Sequence, residues 1–340
     1  MFNNVVVVGV GSIGIKHALF LKQYSKNLIL VDPILKSTER ADKYSEFDKV
    51  LKLTSIQNLG LEFKKGDLAV ISNWGPDHYK TLISLVSKGL KDFVLEKPCA
   101  DSLLEIEKIW KVARKHNLRV AVNQGWYYDK LGLKINKIGK KLGLGEVKAI
   151  FVSGGARCIS TAGSHWISLA NQIFMNNPKF IFSSAKNDSI NPRSKKLSYY
   201  EGVYSFNYAN DKRLAICLTN SSSVEGRVEI YWRDAIGILQ SEKLRIYSRG
   251  DFPNQIKITK YGPASKLIYS EPLNDQKQSF LNLYRSFKIF KKDAFFTDLK
   301  NHLNVTRSIL FALISSETGV RLNFHKKPDK GFHDRKFKIS

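Results

Sequence analysis

A run of valines followed by a glycine-rich turn constrains the fold more than any other feature of this chain. Val5–Val8 lead directly into Gly9-Val10-Gly11-Ser12-Ile13-Gly14. A continuous run of β-branched residues is typical of a strand buried on both faces of a parallel sheet. The three glycines permit a tight turn, close approach of a pyrophosphate, and close packing of the following helix. The pattern predicts a dinucleotide-binding unit whose phosphates lie at a helix N-terminus, with contacts from Gly9, Gly11, Ser12, Ile13 and Gly14.

An acidic residue at the end of the second predicted strand bears on the choice of cofactor. Asp32 follows Asn27–Val31 and lies eighteen residues after Gly14, close to the spacing of about 20 at which a carboxylate binds the ribose 2′-hydroxyl. A carboxylate there repels a 2′-phosphate, so NAD is favoured over NADP. The nearest basic residue after Asp32 is Lys36. Because a lysine is able to pair with a 2′-phosphate, NADP is the alternative.

The length and composition are those of a globular chain with room for two domains. The chain has 340 residues, of which 43% are hydrophobic. No apolar run reaches the roughly 18 residues that a membrane helix needs, and the N-terminus does not have the pattern of a signal peptide. The three cysteines are widely spaced and odd in number, which argues against a disulfide framework and indicates the cytoplasm.

The charge balance is strongly basic and raises the question of nucleic-acid binding. Lysine and arginine total 55 against 30 acidic residues, a net charge of +25. The basic residues are spread along the whole chain, without an RNP signature, zinc-finger spacing or a long basic block. We therefore expect no nucleic-acid partner, and interpret the charge as favouring a small, anionic substrate through electrostatic steering.

The pattern of strands and helices changes near residue 123. Before it, strands and helices alternate with short loops, which predicts a doubly wound, parallel Rossmann sheet. After it, several β-like stretches with short connections predict an α+β domain with a large, mostly antiparallel sheet. The predicted organisation is a dinucleotide-binding domain over 1–123, a substrate and oligomerisation domain over 124–325, and a mobile basic tail over 326–340.

One strand end carries a group that is able to transfer protons. Glu96-Lys97-Pro98 follows the predicted strand 92–96, at the edge where doubly wound folds bind ligands. Beside a positively charged nicotinamide ring, the pKa of a lysine is lowered by like charge and desolvation, so that it can exchange a proton with an alcohol or carbonyl. A surface loop lysine in a lysine-rich chain is the alternative interpretation.

Several motifs in combination resemble the Gfo/Idh/MocA family of oxidoreductases. They are the glycine pattern at 9–14, Asn73-Trp74-Gly75-Pro76-Asp77-His78, Glu96-Lys97-Pro98, and the closing stretch 295–319. The resemblance spans most of the chain and is strongest over residues 5–125. It implies a Rossmann domain joined to a mostly antiparallel substrate domain. It also implies hydride transfer between NAD(P) and a hydroxyl-bearing carbon of a sugar, cyclitol or nucleotide sugar.

The resemblance assigns roles to particular residues. Lys97 corresponds to the family's catalytic lysine, and His165, in Gly163-Ser164-His165-Trp166-Ile167, matches its catalytic histidine. Histidine suits proton transfer because its pKa lies near neutrality. The strand-end motifs add further cofactor contacts, namely Asn73, Pro76, His78, Glu96 and Lys97.

The chain also departs from the family pattern around that histidine. Thr161 stands where many members have Asp or Asn, and Ser168 stands where many have Asp. Thr161 forms hydrogen bonds but does not titrate usefully, so we expect it to orient substrate. Tyr127 and Trp126 replace an arginine pattern; Tyr127 is a candidate substrate contact, with a core role as the alternative. Arg157 is a candidate partner for an anionic substrate group.

The sequence therefore predicts a NAD(P)-dependent dehydrogenase or reductase acting on CH–OH groups. No metal site is expected, because the histidines show no metal-ligand spacing. A homodimer or homotetramer formed through the C-terminal sheet is expected, since an open antiparallel face often needs a partner. The alternative is a non-catalytic regulator that binds a dinucleotide or a sugar, motivated by the missing carboxylates at Thr161 and Ser168.

Overall fold

The fold is built on two β-sheets of different kinds. The structure, a computed structural model, describes residues 1–36, 44, 46–47, 50–155, 157–190, 198–219, 221–249 and 262–339. The helix predicted over 37–44 lies, apart from Tyr44, outside the described residues.

The first sheet is parallel and has six strands. They are β1 Phe2–Val8, β2 Ser25–Val31, β3 Leu51–Leu53, β4 Leu68–Ile71, β5 Asp92–Leu95 and β6 Arg119–Val122. Their order is β3-β2-β1-β4-β5-β6, the doubly wound order with a switch point beside β1. Val5 pairs with Leu28 on one side and Leu68 on the other. Val5–Val7 are completely buried, because helices cover both faces of the sheet.

In the described part of this domain, three α-helices connect the strands. They are α1 Ser12–Lys22, α2 His78–Val86 and α3 Leu103–Lys115. The side chain of Ser102 accepts a hydrogen bond from the backbone N–H of Glu105, which caps α3. A 3-10 turn over Gly75–Asp77 precedes α2. The sheet order and these helices confirm the predicted Rossmann fold.

The second sheet has nine strands and is mostly antiparallel. They are β7 Ala149–Gly154, β8 Phe180–Ile190, β9 Ser198–Asn207, β10 Arg213–Leu218, β11 Arg227–Tyr231, β12 Ala235–Gln240, β13 Lys243–Ser248, β14 Lys266–Pro272 and β15 Leu322–Asn323. Their order is β14-β13-β12-β11-β7-β10-β9-β8-β15, and only β7 and β10 are parallel neighbours within the described residues. The mostly antiparallel second sheet is confirmed.

Six helices follow β6 among the residues that the structure describes. They are α4 Gly125–Tyr128, α5 Leu131–Lys141, α6 Ser164–Phe174, α7 Gln276–Ile289, α8 Lys292–Thr318 and α9 Lys330–His333. A π-helical turn over Ile159–Gly163 leads into α6. Within the described residues, no helix combines the length and apolar character that crossing a membrane requires.

Helix α8 joins the two halves of the molecule. Phe296 and Leu299, in its first part, belong to the core of the parallel sheet. Ile309 and Leu313, in its second part, belong to the core of the large sheet. Phe280 of α7 also packs in a core of the parallel sheet. A single division of the chain at residue 123 therefore does not describe the packing, because the chain returns to the first domain through α7 and α8.

The basic C-terminal segment, for which the sequence predicts mobility, packs against both halves of the molecule. Phe337 and Ile339 are buried. The backbone N–H of Phe337 donates to the carbonyl of Asp101, and the carbonyl of Lys338 accepts from the N–H of Ser198. Lys336 forms ion pairs with Asp101 and Glu105. The alternation of apolar and basic residues over 336–339 allows this segment to bury one side while the other meets solvent.

The packing of the tail predicts a stability effect. We expect Phe337→Ala to lower the free energy of unfolding by about 3 kcal/mol, the usual cost of a buried Phe-to-Ala change. Urea denaturation measures this change. Lys338→Ala, at the exposed neighbouring position, is the matched control and should remain within about 0.5 kcal/mol of wild type. Equal midpoints for all three proteins would show that the tail does not pack in solution.

Candidate functional site

The candidate site lies at the carboxyl edge of the parallel sheet. The loops after β1, β2, β4 and β5 carry Gly9, Asp32, Asn73 and Lys97, respectively. Because parallel strands end at the same edge, these loops are adjacent. A crevice beside β1, where the strand order reverses, is the usual position of a dinucleotide in such a sheet.

The glycine loop leaves room for close approach of a ligand to the backbone. Gly9 has φ of +86°, and a Cβ at this position would lie 2.4 Å from the backbone nitrogen of Asn73. A Cβ on Gly14 would lie 1.9 Å from the carbonyl oxygen of Gly9. Gly11, in contrast, faces open space, with no described atom within 4 Å of the position of a Cβ. The first and last glycines are thus required by packing, and the middle one keeps the approach open.

The N-terminus of α1 fits a phosphate group. Gly11 occupies the cap position without a side-chain hydrogen bond, and the first turn of the helix contains no acidic residue. The N–H groups of the first turn of a helix have no partner within the helix. The positive end of the helix dipole adds to the attraction of an anion. Ser12 is exposed and Ile13 is half-buried, and both lie in the first turn of α1.

Asp32 lies beside the glycine loop. Its Oδ2 accepts a hydrogen bond from the backbone N–H of Val10 at 2.8 Å, and its Oδ1 accepts from the N–H of Ile34 at 2.9 Å. These bonds hold the carboxylate at the end of β2 and leave it half-exposed. The carboxylate, the glycine loop and the end of α1 together fit the adenosine half of a dinucleotide.

A buried histidine at the start of α2 holds the loop after β4. His78 is 1% exposed, and its Nε2 lies 3.0 Å from the carbonyl oxygen of Asn73. Desolvation lowers the pKa of His78, so the ring is neutral and its Nε2–H donates to that oxygen. Asn73 donates through Nδ2 to Thr81 at 2.9 Å. Its Oδ1 is buried without a partner among the described residues. Pro76 is half-buried in the 3-10 turn between them.

Glu96 lies in the interior, in a hydrogen-bond network that sequence reasoning missed. Its Oε1 lies 2.9 Å from Nε2 of His17 and accepts a 2.5 Å hydrogen bond from Asn123. His17, completely buried in α1, reaches the hydroxyl of Tyr284 through Nδ1 at 2.5 Å. The ring of His17 stacks on Phe280, with centroids 4.5 Å apart. Three distant segments of the chain therefore meet at one carboxylate.

This network keeps Glu96 ionised. Burial alone would raise the pKa of the carboxyl group. The hydrogen bond and charge of His17, the charge of Lys97 and the hydrogen bond from Asn123 outweigh burial and hold the pKa at about 2. The other oxygen, Oε2, accepts from the backbone N–H of Lys97 at 3.3 Å. Glu96 thus fixes the start of the loop that carries Lys97.

Lys97 and His165 lie close enough for their charges to interact. Lys97 is half-buried after β5, and its peptide bond to Pro98 is cis. His165 is half-exposed at the start of α6. Desolvation, and then the charge of Lys97, lowers the pKa of His165 to about 3, although the charge of Glu96 opposes this. The imidazole is therefore neutral near pH 7 and is able to accept a proton.

Trp126, rather than Tyr127, faces this histidine. The rings of Trp126 and His165 have centroids 6.0 Å apart. The hydroxyl of Tyr127 instead donates to Oδ1 of Asp298 at 2.6 Å, which directs the ring toward α8. Gln124 links α6 and α8, because its side chain donates to the carbonyl of Ser164 and accepts from His302. We refer below to Lys97, His165 and Trp126 as the Lys97 site.

The remaining candidate residues lie close to His165 in the sequence. Thr161 is half-buried in the π-helical turn, one turn before His165, and its hydroxyl donates to the carbonyl of Cys158 at 3.4 Å. Ser168 is buried in α6, three residues after His165. Arg157 is exposed on the segment between β7 and the π-helical turn. Thr161 and Ser168 supply hydroxyl groups, but no titratable group, to the surroundings of His165.

The parallel sheet, the glycine loop and the N-terminus of α1 form a Rossmann fold of the kind that binds dinucleotides, and Lys97 at its carboxyl edge lies near His165 of α6. Residues 3–124 match the Gfo/Idh/MocA model, described as an oxidoreductase family with an NAD-binding Rossmann fold. This match confirms the resemblance that the sequence motifs predicted, over residues 3–124. A search of curated proteins found no match.

Solved structures resemble the chain over almost its full length. An oxidoreductase from Agrobacterium radiobacter, in complex with NAD+, L-tartaric acid and magnesium, has a TM-score of 0.69 at 11% identity, over 95% of this chain and 99% of that one. The transcriptional regulator Gal80p from Kluyveromyces lactis has a TM-score of 0.70 at 15% identity, over 96% and 92%. UDP-N-acetylglucosamine 3-dehydrogenase GnnA from Acidithiobacillus ferrooxidans has a TM-score of 0.65 at 14% identity, over 93% and 98%. At these identities the likeness establishes the shared fold.

The buried carboxylate predicts how stability changes with pH. The folded-state pKa of Glu96 lies below its ordinary value of 4.5. The contribution of this group to the free energy of unfolding is therefore present above pH 4.5 and is lost as pH falls toward 2. The difference between the two pKa values corresponds to about 3 kcal/mol in the free energy of unfolding. We expect Glu96→Gln to be less stable at pH 7 and to lose less stability on acidification. Chemical denaturation at a series of pH values measures both quantities, and parallel curves for the two proteins would contradict the assignment.

Proposed function

We propose that this protein is a NAD-dependent oxidoreductase acting on the CH–OH group of a sugar, cyclitol or nucleotide sugar. The observation that carries the proposal is the proximity of a neutral His165 to Lys97, which lies at the edge of the sheet that carries the glycine loop. A structural neighbour acts on a nucleotide sugar, as its name states. We infer that the substrate lies against the Lys97 site, with the nicotinamide between it and the sheet.

The roles of the residues follow from their charge and position. Bound NAD supplies a hydride acceptor at nicotinamide C4. In the oxidation direction, Nε2 or Nδ1 of the neutral His165 imidazole accepts the hydroxyl proton, or Lys97 does so in its uncharged form. The charge of Lys97 stabilises the developing alkoxide when it stays protonated. Trp126 beside His165 limits the access of water, and Thr161 offers a hydroxyl group for orienting the substrate.

The experiment that tests this function is a redox screen with purified protein. NAD and a panel of sugars, cyclitols, sugar acids and nucleotide sugars are mixed with the protein, and the absorbance band of NADH is followed. We expect the band to appear with at least one member of the panel. Tight NAD binding without hydride transfer to any member would favour the second candidate below.

Two substitutions separate catalysis from cofactor binding. We expect His165→Asn and Lys97→Ala each to reduce turnover by about 10²- to 10⁴-fold, with little change in the Kd for NAD measured by calorimetry. His325→Asn, at an exposed position near the tail, is the matched control and should keep wild-type turnover. Since the pKa of His165 is about 3, turnover should not fall across the range in which an ordinary histidine titrates. Unchanged turnover in both variants would contradict the assignment of Lys97 and His165 to proton transfer.

Cofactor preference is a separate part of the proposal. We expect Asp32→Ala to weaken NAD binding by about tenfold or more, because hydrogen bonds to a charged group are lost. Binding of NADP should weaken less or improve, since repulsion of its 2′-phosphate is removed. Calorimetric titration with both cofactors gives the ratio of the two affinities. A ratio unchanged from wild type would show that Asp32 does not select NAD.

A second candidate function is a regulator that binds a dinucleotide or sugar without turnover. Thr161 and Ser168 favour it, since neither supplies the carboxylate that many family members have there. The transcriptional regulator Gal80p has the same fold. This candidate predicts cofactor binding at the glycine loop and no transfer of hydride to any substrate.

The assembly and setting are also proposals. The outer face of the large sheet exposes Phe151, Phe182 and Val203, which supports a homodimer or homotetramer formed through this face. The net charge of +25 and the exposed Arg157 support an anionic substrate. The free cysteines, with Cys99 and Cys158 buried, fit a reducing cytoplasm.

A further inference from the structure

A cavity lies beside the Lys97 site, and the residues that line it are different from those of that site. It has a volume of about 410 Å³ and is bordered by α4, α5, α6 and α8. This volume is within the usual range for small-molecule sites. Neither Lys97, His165 nor Trp126 lines it. Tyr127, whose neighbour Trp126 faces His165, forms part of its wall.

Three residues that line the cavity each have a buried polar atom with no hydrogen-bond partner among the described residues. These atoms are Oδ2 of Asp298, Nε2 of His302 and the hydroxyl oxygen of Tyr128. Nδ1 of His302 lies 2.8 Å from Oε1 of Gln124, an acceptor, so Nδ1 carries the proton. Burial lowers the pKa of His302 to about 3, which leaves Nε2 as an acceptor. A buried acceptor without a donor destabilises the folded protein, so Asp298 and His302 suit a ligand that donates hydrogen bonds.

The cavity is lined by residues of opposite charge. Asp298 is the acidic residue and Lys130 the basic residue among those that line it, and the charge of Lys130 acts on Asp298. Desolvation nevertheless raises the pKa of Asp298, although the hydrogen bond from Tyr127 opposes this. The cavity therefore does not favour an anion or a cation strongly. An uncharged, polar ligand fits this balance.

The rest of the lining combines amide and hydroxyl groups with aromatic rings. Asn301, Asn176 and Ser168 contribute groups that both donate and accept hydrogen bonds. Tyr127 and Phe290 contribute apolar ring surface. A wholly apolar ligand would leave the polar groups unpaired, whereas a molecule with several hydroxyl groups on a compact carbon skeleton meets both requirements.

We propose that this cavity binds a small uncharged polyol of monosaccharide or cyclitol size, at a site separate from the Lys97 site. Hydroxyl groups of the ligand donate to Asp298 and His302, and the amide of Asn301 closes the open side. The proposal does not depend on redox activity, because no part of the cavity belongs to the residues that we assign to hydride transfer.

The experiment measures polyol binding to the full-length protein in the absence of NAD. The probes are glucose, galactose and myo-inositol, titrated by calorimetry at millimolar concentration. We expect at least one probe to bind wild-type protein. Asn301→Trp, an exposed position at the cavity, should abolish binding by filling the site, and Asp298→Asn should weaken it by about tenfold.

Two controls locate the site. Lys300→Trp places the same ring at the neighbouring exposed position, which does not line the cavity, and should bind like wild type. Lys97→Ala should also bind like wild type. Binding that is lost in Lys97→Ala but kept in Asn301→Trp would place the polyol at the Lys97 site and overturn the proposal. Absence of binding by all three probes would also overturn it, while leaving the redox function to be judged by its own screen.

Discussion

The carboxylate of Glu96 is the interaction on which the site depends. It is buried between His17 of the dinucleotide-binding helix and Asn123 at the end of β6, and His17 in turn contacts Tyr284 of α7. An ionised group is costly to bury unless its hydrogen bonds are satisfied. Because His17 lies on α1, Asn123 follows β6 and Tyr284, which contacts His17, lies on α7, the network around the carboxylate is complete only when all three segments are in place.

The position of Glu96 has a consequence for both halves of the candidate site. Its neighbour Lys97 begins the loop that faces His165, while His17 belongs to the helix whose N-terminus fits the phosphates. A shift at Glu96 would therefore move the lysine relative to the cofactor cradle. Helix α8 adds a second link, since its first part packs in the core of the parallel sheet and its second part in that of the large sheet.

Features carried by short-range pattern could be predicted from the sequence. The Val5–Val8 strand, the glycine loop and Asp32 lie within one βαβ unit, so spacing alone places them together. The change to antiparallel pairing after residue 123 follows from the alternation of apolar and polar residues. The site residues His165 and Lys97 required the family resemblance, because a single lysine and a single histidine carry no distinctive spacing.

Features that depend on distant contacts could not be predicted. His17 and Tyr284 are separated by 267 positions, and nothing in the local sequence of either indicates a partner. The sequence stretch 236–247 looks like one long strand, but Ser241 and Glu242 adopt positive φ angles and fold it into the hairpin of β12 and β13. Without glycine or asparagine at the turn, the usual hairpin signal is missing. The packing of the C-terminal segment could not be predicted either. The buried Phe337 and Ile339 alternate with lysines, so the composition of the segment indicates a solvent-exposed tail.

The central claim, hydride transfer at the Lys97 site, is tested most directly by isotope tracing. The protein is incubated with NADH deuterated at nicotinamide C4 and with keto-sugar and keto-cyclitol acceptors, and the products are analysed by mass spectrometry. The account predicts an alcohol product that carries one deuterium on the carbon of the former carbonyl, formed by wild-type protein and not by His165→Asn. Binding of the labelled cofactor without any deuterium in a product would contradict it.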